Sequence, residues 1–268
     1  MSGHLLWCFL IEAVAPGRAE IQYQKYAMRL AIFSDSHGNY DAFDQVLQDI
    51  DTCAVDAVIS LGDNIGYGPE SDRVIKKLKA LNIPSVQGNH ELALNDEEYL
   101  NWFNPAARKS LIKTRDLLSK TSIRYISQFE PVITSYDCRF VHGFPPDSPL
   151  IYMFQVSESR KQEVFEEMTE RLCFIGHTHT LEILSYDGND IQYEDLPKGL
   201  SRLDPAKKYI INIGSVGQPR DSSNNAKYVI WDSLEDSLDV RFISYDIASV
   251  VKKIKAAGLP KEHAQRLW

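Results

Sequence analysis

The chain has 268 residues, of which 44% are apolar and 25% are charged. This composition is ordinary for a globular protein and excludes a disordered or fibrous one. The formal net charge of −8 argues against a protein that binds nucleic acid through bulk phosphate contacts, because such proteins usually carry a basic excess.

The N-terminal stretch is set apart from the predicted fold. Its longest apolar run, Leu5–Ile11, is far shorter than the roughly 20 residues that a membrane span needs. Met28 opens the segment MRLAIFSDSHGN, a typical start for an α/β protein whose first element is a core strand. We therefore interpret residues 1–27 as an N-terminal extension that is non-native or disordered. An export signal with a cleavage site at Ala13-Val14-Ala15, and a genuine accessory segment, are the alternatives.

The first part of the chain from Met28 onward alternates predicted strands and helices. LAIFS predicts a strand, and YDAFDQVLQDI predicts a helix because its apolar residues recur at helical spacing. AVISLGD predicts the next strand, SDRVIKKLKAL the next helix and PSVQGNH a third strand. This alternation favours a parallel βαβ arrangement in which the carboxyl ends of the strands meet along one edge.

The remainder of the chain predicts a helical insertion and then more strands. Residues 95–127 have a helical pattern in which Asn104 is the N-cap and Pro105 lies in the first turn. Strands are predicted at PVITSY, RFVHG, RLCFIG, YIINIG, KYVIWD and DVRFIS, with helices near SESRKQEVFEEMT and IASVVKKIKAA and a hairpin turn at Asp187-Gly188-Asn189-Asp190. We predict one α/β domain, 28–268. Its two mixed β-sheets pack face to face with helices on the outer faces, one sheet built from βαβ units and the other from hairpins.

Polar side chains follow the predicted strands in five places. The stretches are SDSHGN, SLGDN, VQGNHE, FVHG and FIGHTH, and they contain five of the seven histidines. In a doubly wound sheet such strand ends converge in space, and ligands bind there. A single Asp or His beside a glycine is usually a turn or cap residue, so a functional interpretation rests on the whole set. The candidate metal ligands are Asp35, His37, Asp63, Asn89, His142, His177 and His179.

The types of these residues indicate the metal. Imidazole, carboxylate and carboxamide groups without a thiolate suit a first-row divalent ion better than a structural cysteine site or a calcium site. Seven candidate ligands are too many for one ion, whereas two ions about 3.5–4 Å apart that share a carboxylate would use them all. We therefore predict two divalent transition-metal ions, Mn²⁺ before Fe, Zn, Ni or Co. Such a centre favours in-line attack on phosphorus.

The ordered motifs D-x-H, GD, GNH, a lone histidine and GHTH resemble the calcineurin-like metallophosphoesterase superfamily, from Leu30 to about Ser215. Their combination is highly specific, although any one of them alone is weak. The resemblance implies that two ions activate a bridging hydroxide for attack on a phosphate ester. It also distributes the ligands between the ions, with Asp63 as the bridge: Asp35, His37 and His179 for the first, and Asn89, His142 and His177 for the second.

Three further residues are candidates for contacts with the substrate. His90 has no ligand role in the family pattern, and we interpret it as the general acid for the leaving oxygen or a cationic stabiliser of it. The alternatives are an extra ligand or a supporting hydrogen-bond donor. Tyr67, in the turn GDNIGYGP, and Arg220, in INIGSVGQPRD, are predicted to bind substrate. Their alternatives are a packed aromatic and a solvated surface charge. Glu91 is interpreted as a partner that supports the ligands.

Differences between this sequence and the motifs of individual subfamilies limit the choice of substrate class. Protein phosphatases of this superfamily read GDxxDRG, and Gly66 stands here in place of the second Asp, which disfavours that activity. GYGP, WFNP and GSVGQPRD resemble bacterial stand-alone enzymes related to diadenosine tetraphosphate hydrolases and small-molecule phosphodiesterases. We predict hydrolysis of a small phosphate ester or phosphoanhydride, with a dinucleoside polyphosphate among the candidates. A nuclease, a cyclic-nucleotide phosphodiesterase and a metal-binding scaffold without catalysis are the alternatives.

The cysteines indicate the compartment. They lie at positions 8, 53, 138 and 173 and form no C-x-x-C pair. Free cysteines of this kind are typical of a reducing compartment, and we predict a cytoplasmic protein. The predicted partner is a small phosphorylated substrate, without a membrane or a stable nucleic-acid complex. The sequence makes no prediction of the oligomeric state.

Overall fold

The computed structural model describes residues 27–221 and 223–268. The prediction of an N-terminal extension falls almost entirely outside these residues and stays a prediction. The strands are β1 Arg29–Phe33, β2 Ala57–Ser60, β3 Val132–Ser135, β4 Cys138–Val141, β5 Leu172–Ile175, β6 Leu181–Tyr186, β7 Ile191–Glu194, β8 Gly199–Arg202, β9 Lys208–Ile213, β10 Ala226–Asp232 and β11 Ser237–Ile243. The helices are α1 Tyr40–Ile50, α2 Ser71–Ala80, α3 Asn89–Asn95, α4 Pro105–Leu117, α5 Lys120–Ile126, α6 Glu158–Glu167, α7 Ile247–Ala256 and α8 Lys261–Gln265, with 3₁₀ helices at Glu97–Trp102 and Met153–Gln155.

Side-chain caps begin several of the helices. Asn39 caps α1 by accepting a hydrogen bond from the N–H of Ala42 at 3.2 Å. Asn104 caps α4 in the same way, with Pro105 at the first helical position. Caps at these positions direct the chain into a helix immediately after each loop, and the first of them closes the loop that carries Asp35 and His37.

The strands form two sheets of mixed direction. One has five strands in the order β2-β1-β10-β11-β8, and the other has six in the order β3-β4-β5-β9-β6-β7. β1 pairs in parallel with β2 and antiparallel with β10, and β5 pairs in parallel with β4 and β9. Strands from the βαβ units and from the hairpins therefore occur in both sheets. The prediction that each kind of unit builds its own sheet was wrong, because the hairpin β10-β11 returns to pair with β1.

Alternation along the strands divides the core into layers. Leu30 and Ile32 of β1 pack between the sheets, in a buried cluster with Phe174 of β5 and Trp231 of β10. The other face of the five-stranded sheet packs on α1, α2 and α4, and the outer face of the six-stranded sheet packs on α6. This arrangement confirms the predicted α/β class with two sheets face to face and helices outside.

Two local predictions meet different outcomes. The segment PSVQGNH is not a strand: it pairs with β2 through the single bridge between Ser60 and Ser85. Pro84 has no N–H to extend the ladder, and Asn89 already begins α3, so the extended stretch is too short. The segment 95–127 is helical, as its pattern indicates. Its status as an insertion stays a prediction.

None of the helices in residues 27–221 and 223–268 combines the length and the apolar character that a membrane span requires.

We predict that the contact between the sheets dominates stability. Phe174 is fully buried, stacks on Phe140 at 5.7 Å between ring centroids and lies 6.4 Å from Trp231 of the opposite sheet. Phe174→Ala should lower the free energy of unfolding by about 3–5 kcal/mol, because it leaves a cavity between the sheets. Urea denaturation checks this, with Phe154→Ala as a control of the same chemistry at a side chain that is 73% exposed. Equal losses in the two variants would contradict the layered core.

Candidate metal centre and active site

The predicted ligands converge at the carboxyl ends of four strands. Asp35 and His37 follow β1, Asp63 follows β2, and His142 follows β4. Histidines 177 and 179 follow β5, and Asn89 begins α3. All seven side chains come together, and none is more than 8% exposed. The structure thus brings the entire predicted set to one buried place.

The backbone at these positions is unusual. Five of the seven candidate ligands adopt positive φ, the left-handed region that side chains other than glycine rarely occupy. Strain of this kind costs about 1–3 kcal/mol per residue and persists where the surrounding structure imposes it. The five residues and their φ angles are Asp35 at 55°, His37 at 45°, Asp63 at 50°, His177 at 68° and His179 at 64°.

One group of ligand atoms lies around Asp35. The Nε2 atoms of His37 and His179 are 3.1 Å apart, and Oδ1 of Asp35 lies 3.5 Å and 3.2 Å from them respectively. The other carboxylate oxygen of Asp35 accepts a hydrogen bond from the N–H of His177 at 3.1 Å. One oxygen is therefore held by the backbone, while Oδ1, which is buried without a hydrogen-bond partner, faces the site.

A second group lies around His142. Its Nε2 is 3.1 Å from Nδ1 of His177, 3.2 Å from Oδ1 of Asn89 and 3.3 Å from Oδ2 of Asp63. The same Asp63 oxygen is 3.7 Å from Nε2 of His37 in the first group. Asp63 therefore lies between the two groups, and its Oδ1 accepts the N–H of His90 at 2.9 Å.

Backbone carbonyls set the tautomers of four of the histidines. A carbonyl oxygen only accepts hydrogen bonds, so the ring nitrogen facing it carries the hydrogen, and in a neutral ring the other nitrogen is a bare acceptor. The donor atoms and their carbonyl acceptors are Nδ1 of His37 to Ile65 at 3.0 Å, Nδ1 of His142 to Leu61 at 2.7 Å, Nε2 of His177 to Leu150 at 3.2 Å and Nδ1 of His179 to Gln218 at 2.6 Å. In each case the free nitrogen faces the centre.

These tautomers leave acceptors facing acceptors. With neutral rings, His37, His179 and Asp35 direct lone pairs at one another within 3.5 Å, and so do His142, His177 and Asn89. Buried acceptors without donors are costly, whereas a cation satisfies several of them at once. Both groups therefore fit metal ions, and nitrogen and oxygen donors without sulfur suit a divalent first-row ion.

The charges of the site follow from burial and mutual contact. Burial alone would raise the pKa of Asp63, but the surrounding imidazoles, His142 first, hold it well below its ordinary range. Burial lowers the pKa of His177 to about 3 and that of His179 to about 4. Burial also acts to lower the pKa of His142, but the charge of Asp63 outweighs it and raises the pKa to about 9. In the metal-free protein at pH 7 the Nε2 of His142 therefore carries a proton, and a cation would take the place of that proton beside Asp63.

His90 lies at the edge of the centre. It is 1% exposed, and its Nε2 is 3.8 Å from Oδ2 of Asp63, while its Nδ1 has no hydrogen-bond partner. Gly66 has a φ of +100°, and a Cβ built there would lie 2.2 Å from Nδ1 of His90. Position 66 therefore adjoins His90 and admits only glycine in this conformation. Burial lowers the pKa of His90 well below its ordinary range, so the ring is neutral at pH 7.

The predicted substrate residues lie beside the centre. The ring of Tyr67 packs 4.3 Å from that of His37 and 4.7 Å from that of His90, and burial raises its pKa to about 12. Arg220 is exposed; its Nη2 donates a hydrogen bond to Oε1 of Gln218 at 3.3 Å, and its positive charge acts to lower the pKa of Tyr67 against the effect of burial. The role of both residues in substrate binding stays a prediction.

Two residues near the centre were missed in the sequence. Tyr152 stacks on His177 with ring centroids 3.7 Å apart and an angle of 18° between the planes. The ring of His263 in α8 packs against that of Tyr67 in a tilted arrangement, with centroids 4.4 Å apart and an angle of 30° between the planes. Neither follows a strand, and no local motif marks them, so their positions depend on how a loop and the C-terminal helices pack.

Comparison with known proteins identifies the family. A model of the calcineurin-like phosphoesterase superfamily domain matches residues 28–236. The chain belongs to this superfamily. Membership confirms the resemblance and makes the protein a phosphoric ester hydrolase.

Similar proteins match this calcineurin-like phosphoesterase over most of its length and over nearly all of their own. An uncharacterised protein of Methanocaldococcus jannaschii is 31% identical over 89% of this chain and 97% of its own. The crystal structure of a metallophosphoesterase from Sphaerobacter thermophilus matches with a TM-score of 0.78 at 32% identity, over 90% of this chain and 98% of its own. A hypothetical protein of Pyrococcus horikoshii shares the fold, with a TM-score of 0.72 at 16% identity over 90% and 97% of the two chains.

In this calcineurin-like phosphoesterase, Glu91 supports the turn that carries Asp63. Its side chain is fully buried and accepts hydrogen bonds from the N–H groups of Asp63 at 2.8 Å, Asn64 at 2.7 Å and Gly88 at 3.0 Å. Burial raises its pKa to about 7, and the charge of Asp63 adds to the rise. Glu91 therefore holds the turn of Asp63 against the start of α3.

We predict that removal of this carboxylate is strongly destabilising. Glu91→Ala leaves three buried N–H groups without acceptors, which should lower the free energy of unfolding by about 3 kcal/mol or more. Urea denaturation of the metal-free protein measures the change. Glu98→Ala, at an exposed glutamate in the same stretch, should change it by less than about 0.5 kcal/mol. If the two variants unfold alike, Glu91 does not hold the Asp63 turn.

Proposed function

We propose that this protein is a dinuclear metal-dependent phosphoesterase that hydrolyses a small phosphate ester or phosphoanhydride. Diadenosine tetraphosphate and other dinucleoside polyphosphates are among the substrates to test. The observation that supports the proposal is the pair of acceptor groups that share Oδ2 of Asp63. Two ions that share a carboxylate are suited to in-line displacement at phosphorus.

The proposed ligand sets follow the two groups. Asp35, His37 and His179 would hold one ion, and Asp63 would bridge to the second. Asn89, His142 and His177 would complete that second set. Bound divalent ions would supply Lewis acidity toward the phosphoryl oxygens and a water of lowered pKa. Nitrogen and oxygen donors suit first-row divalent ions in general. We propose Mn²⁺ as the first ion to test, followed by Fe, Zn, Ni and Co.

His90 is proposed to act on the leaving oxygen. It is held in place by its backbone bond to Asp63 and by edge-on contacts with the rings of His37 and Phe103, at 4.6 Å and 4.9 Å. In the substrate-free protein the ring is neutral because of burial. The negative charge of a bound phosphoryl group favours the imidazolium and would raise the pKa of His90. Substrate binding would therefore protonate His90 and allow it to donate a proton to the leaving oxygen.

Arg220 and Tyr67 are proposed to hold the phosphoryl group. The guanidinium is exposed and presents donors that can pair with two phosphate oxygens. The N–H of Arg220 donates to the carbonyl of His179 at 3.1 Å, which ties this loop to a proposed ligand. The Tyr67 hydroxyl stays protonated at neutral pH and can donate a further hydrogen bond.

The experiment that tests the function is a substrate screen of the Mn²⁺-loaded full chain. The panel contains phosphomonoesters, phosphodiesters, dinucleoside polyphosphates and DNA. We expect turnover of at least one small ester or anhydride and none of DNA, because the net charge of −8 disfavours a polyanion. Turnover of DNA alone would favour the nuclease, and metal binding without any turnover would favour a scaffold.

We predict that His90→Asn lowers kcat by about 10²–10⁴-fold on an ester with a poor leaving group, the range for loss of a general acid. The loss should be much smaller on p-nitrophenyl phosphate, whose leaving group needs little protonation. Metal content, measured on the purified variant, should equal that of the wild type. A variant that loses one ion would instead make His90 a ligand, since His90 also lies with His37 and Asp63 in a group able to hold metal.

A further inference from the structure

A ladder of three aromatic rings leads outward from the centre. Tyr152 stacks on His177 as described above, and Phe154 stacks on Tyr152 with centroids 5.0 Å apart and planes at 23°. Tyr152 is half-buried, and Phe154 is 73% exposed. Because each ring contacts the next, only the Tyr152 ring separates Phe154 from His177. An exposed ring face is therefore held close to a proposed metal ligand.

Buried contacts and hydrogen bonds hold the segment of chain that carries Tyr152 and Phe154. Met153, between the two rings, is 2% exposed and packs in the core beneath the six-stranded sheet. The 3₁₀ helix that carries it begins with a hydrogen bond from the N–H of Tyr152 to Oε1 of Gln155 at 3.3 Å. Before it, Oγ of Ser148 accepts the N–H groups of Leu150 and Ile151 at 3.2 Å and 3.1 Å. The rings are thus oriented in advance, which lowers the entropy cost of stacking a ligand on them.

Exposure of Phe154 is hard to explain by packing. Its neighbour Met153 already fills the core, so Phe154 adds no buried contact there. The N–H of Arg220 donates to the carbonyl of His179, two residues from the His177 ring on which Tyr152 stacks, so the ladder and the proposed phosphate contacts border the same centre. A flat apolar surface beside a cationic one matches a ligand with a flat ring and a phosphate.

We propose that Tyr152 and Phe154 form a stacking platform for the nucleobase of a nucleotide substrate, with Phe154 as the contact residue. In a nucleotide one ribose separates the phosphate from the base, which suits a platform next to the metal centre. Aromatic side chains stack on any base because every base has a π face. This inference rests on the proposed function for the position of the phosphate, and it narrows the substrate class to nucleotides.

The test compares two ligands that differ by the nucleoside. Calorimetry gives the Kd of adenosine 5′-methylenediphosphonate and of methylenediphosphonate for the Mn²⁺-loaded full chain. The nucleotide should bind more tightly to the wild type, and Phe154→Ala should weaken it by about 5-fold or more, the range for loss of one stacked base. The Kd of methylenediphosphonate should not change. Phe154→Trp should retain the difference, and Leu234→Ala, at a leucine that is 65% exposed, should behave as wild type.

Two results would overturn the platform. One is equal affinity of the wild type for both ligands, and the other is a nucleoside preference that survives in Phe154→Ala. If Trp102→Ala, at a side chain 71% exposed in the helical segment, removed the preference instead, the base would bind on that side of the centre. Failure of the proposed function looks different: no substrate of the panel would be hydrolysed, whatever the ligands' relative affinities.

Discussion

The site depends on four hydrogen bonds between imidazole rings and backbone carbonyls. Each bond places a ring hydrogen on the outer nitrogen, and in the neutral ring it leaves a lone pair on the inner one. The carbonyls come from Leu61 and Ile65, which flank Asp63, and from Leu150 and Gln218 on other loops. Because the loops fix the tautomers, each inner nitrogen is directed at the centre, and an ion gains all four of them once His142 has given up its proton. Affinity for a cation is therefore a property of the fold.

Formation of such a centre is costly for the folded chain. Five ligand positions lie in the left-handed region, and each costs about 1–3 kcal/mol. Burial of apolar side chains between the sheets offsets this cost, because that core holds the ends of β1, β2, β4 and β5 in place. Gly176 shows how closely these ends approach: a Cβ there would lie 2.0 Å from Oγ of Ser34. Ions that bind the folded state alone would recover part of the cost by mass action.

Much of the centre could be predicted from the sequence because its residues follow strands. One strand that ends in polar residues can be explained as an ordinary turn. Five such strand ends in one chain are better explained as parts of a single site. The ends meet because parallel strands run in the same direction, so spacing along the chain matters little. Sheet membership could not be predicted, since the pairing of β10 with β1 joins residues some 200 apart. Tyr152 and His263 were missed for the same reason, as only tertiary packing brings them to the centre.

The central claim is that two cation sites share Asp63, and the stoichiometry of metal binding tests it most directly. Calorimetric titration of the metal-free protein with Mn²⁺ should show that the wild type binds two ions per chain. Asp35→Asn should retain one ion at near wild-type affinity, and Asp63→Asn should weaken both. A single ion in the wild type, or loss of only one ion in Asp63→Asn, would contradict the shared centre.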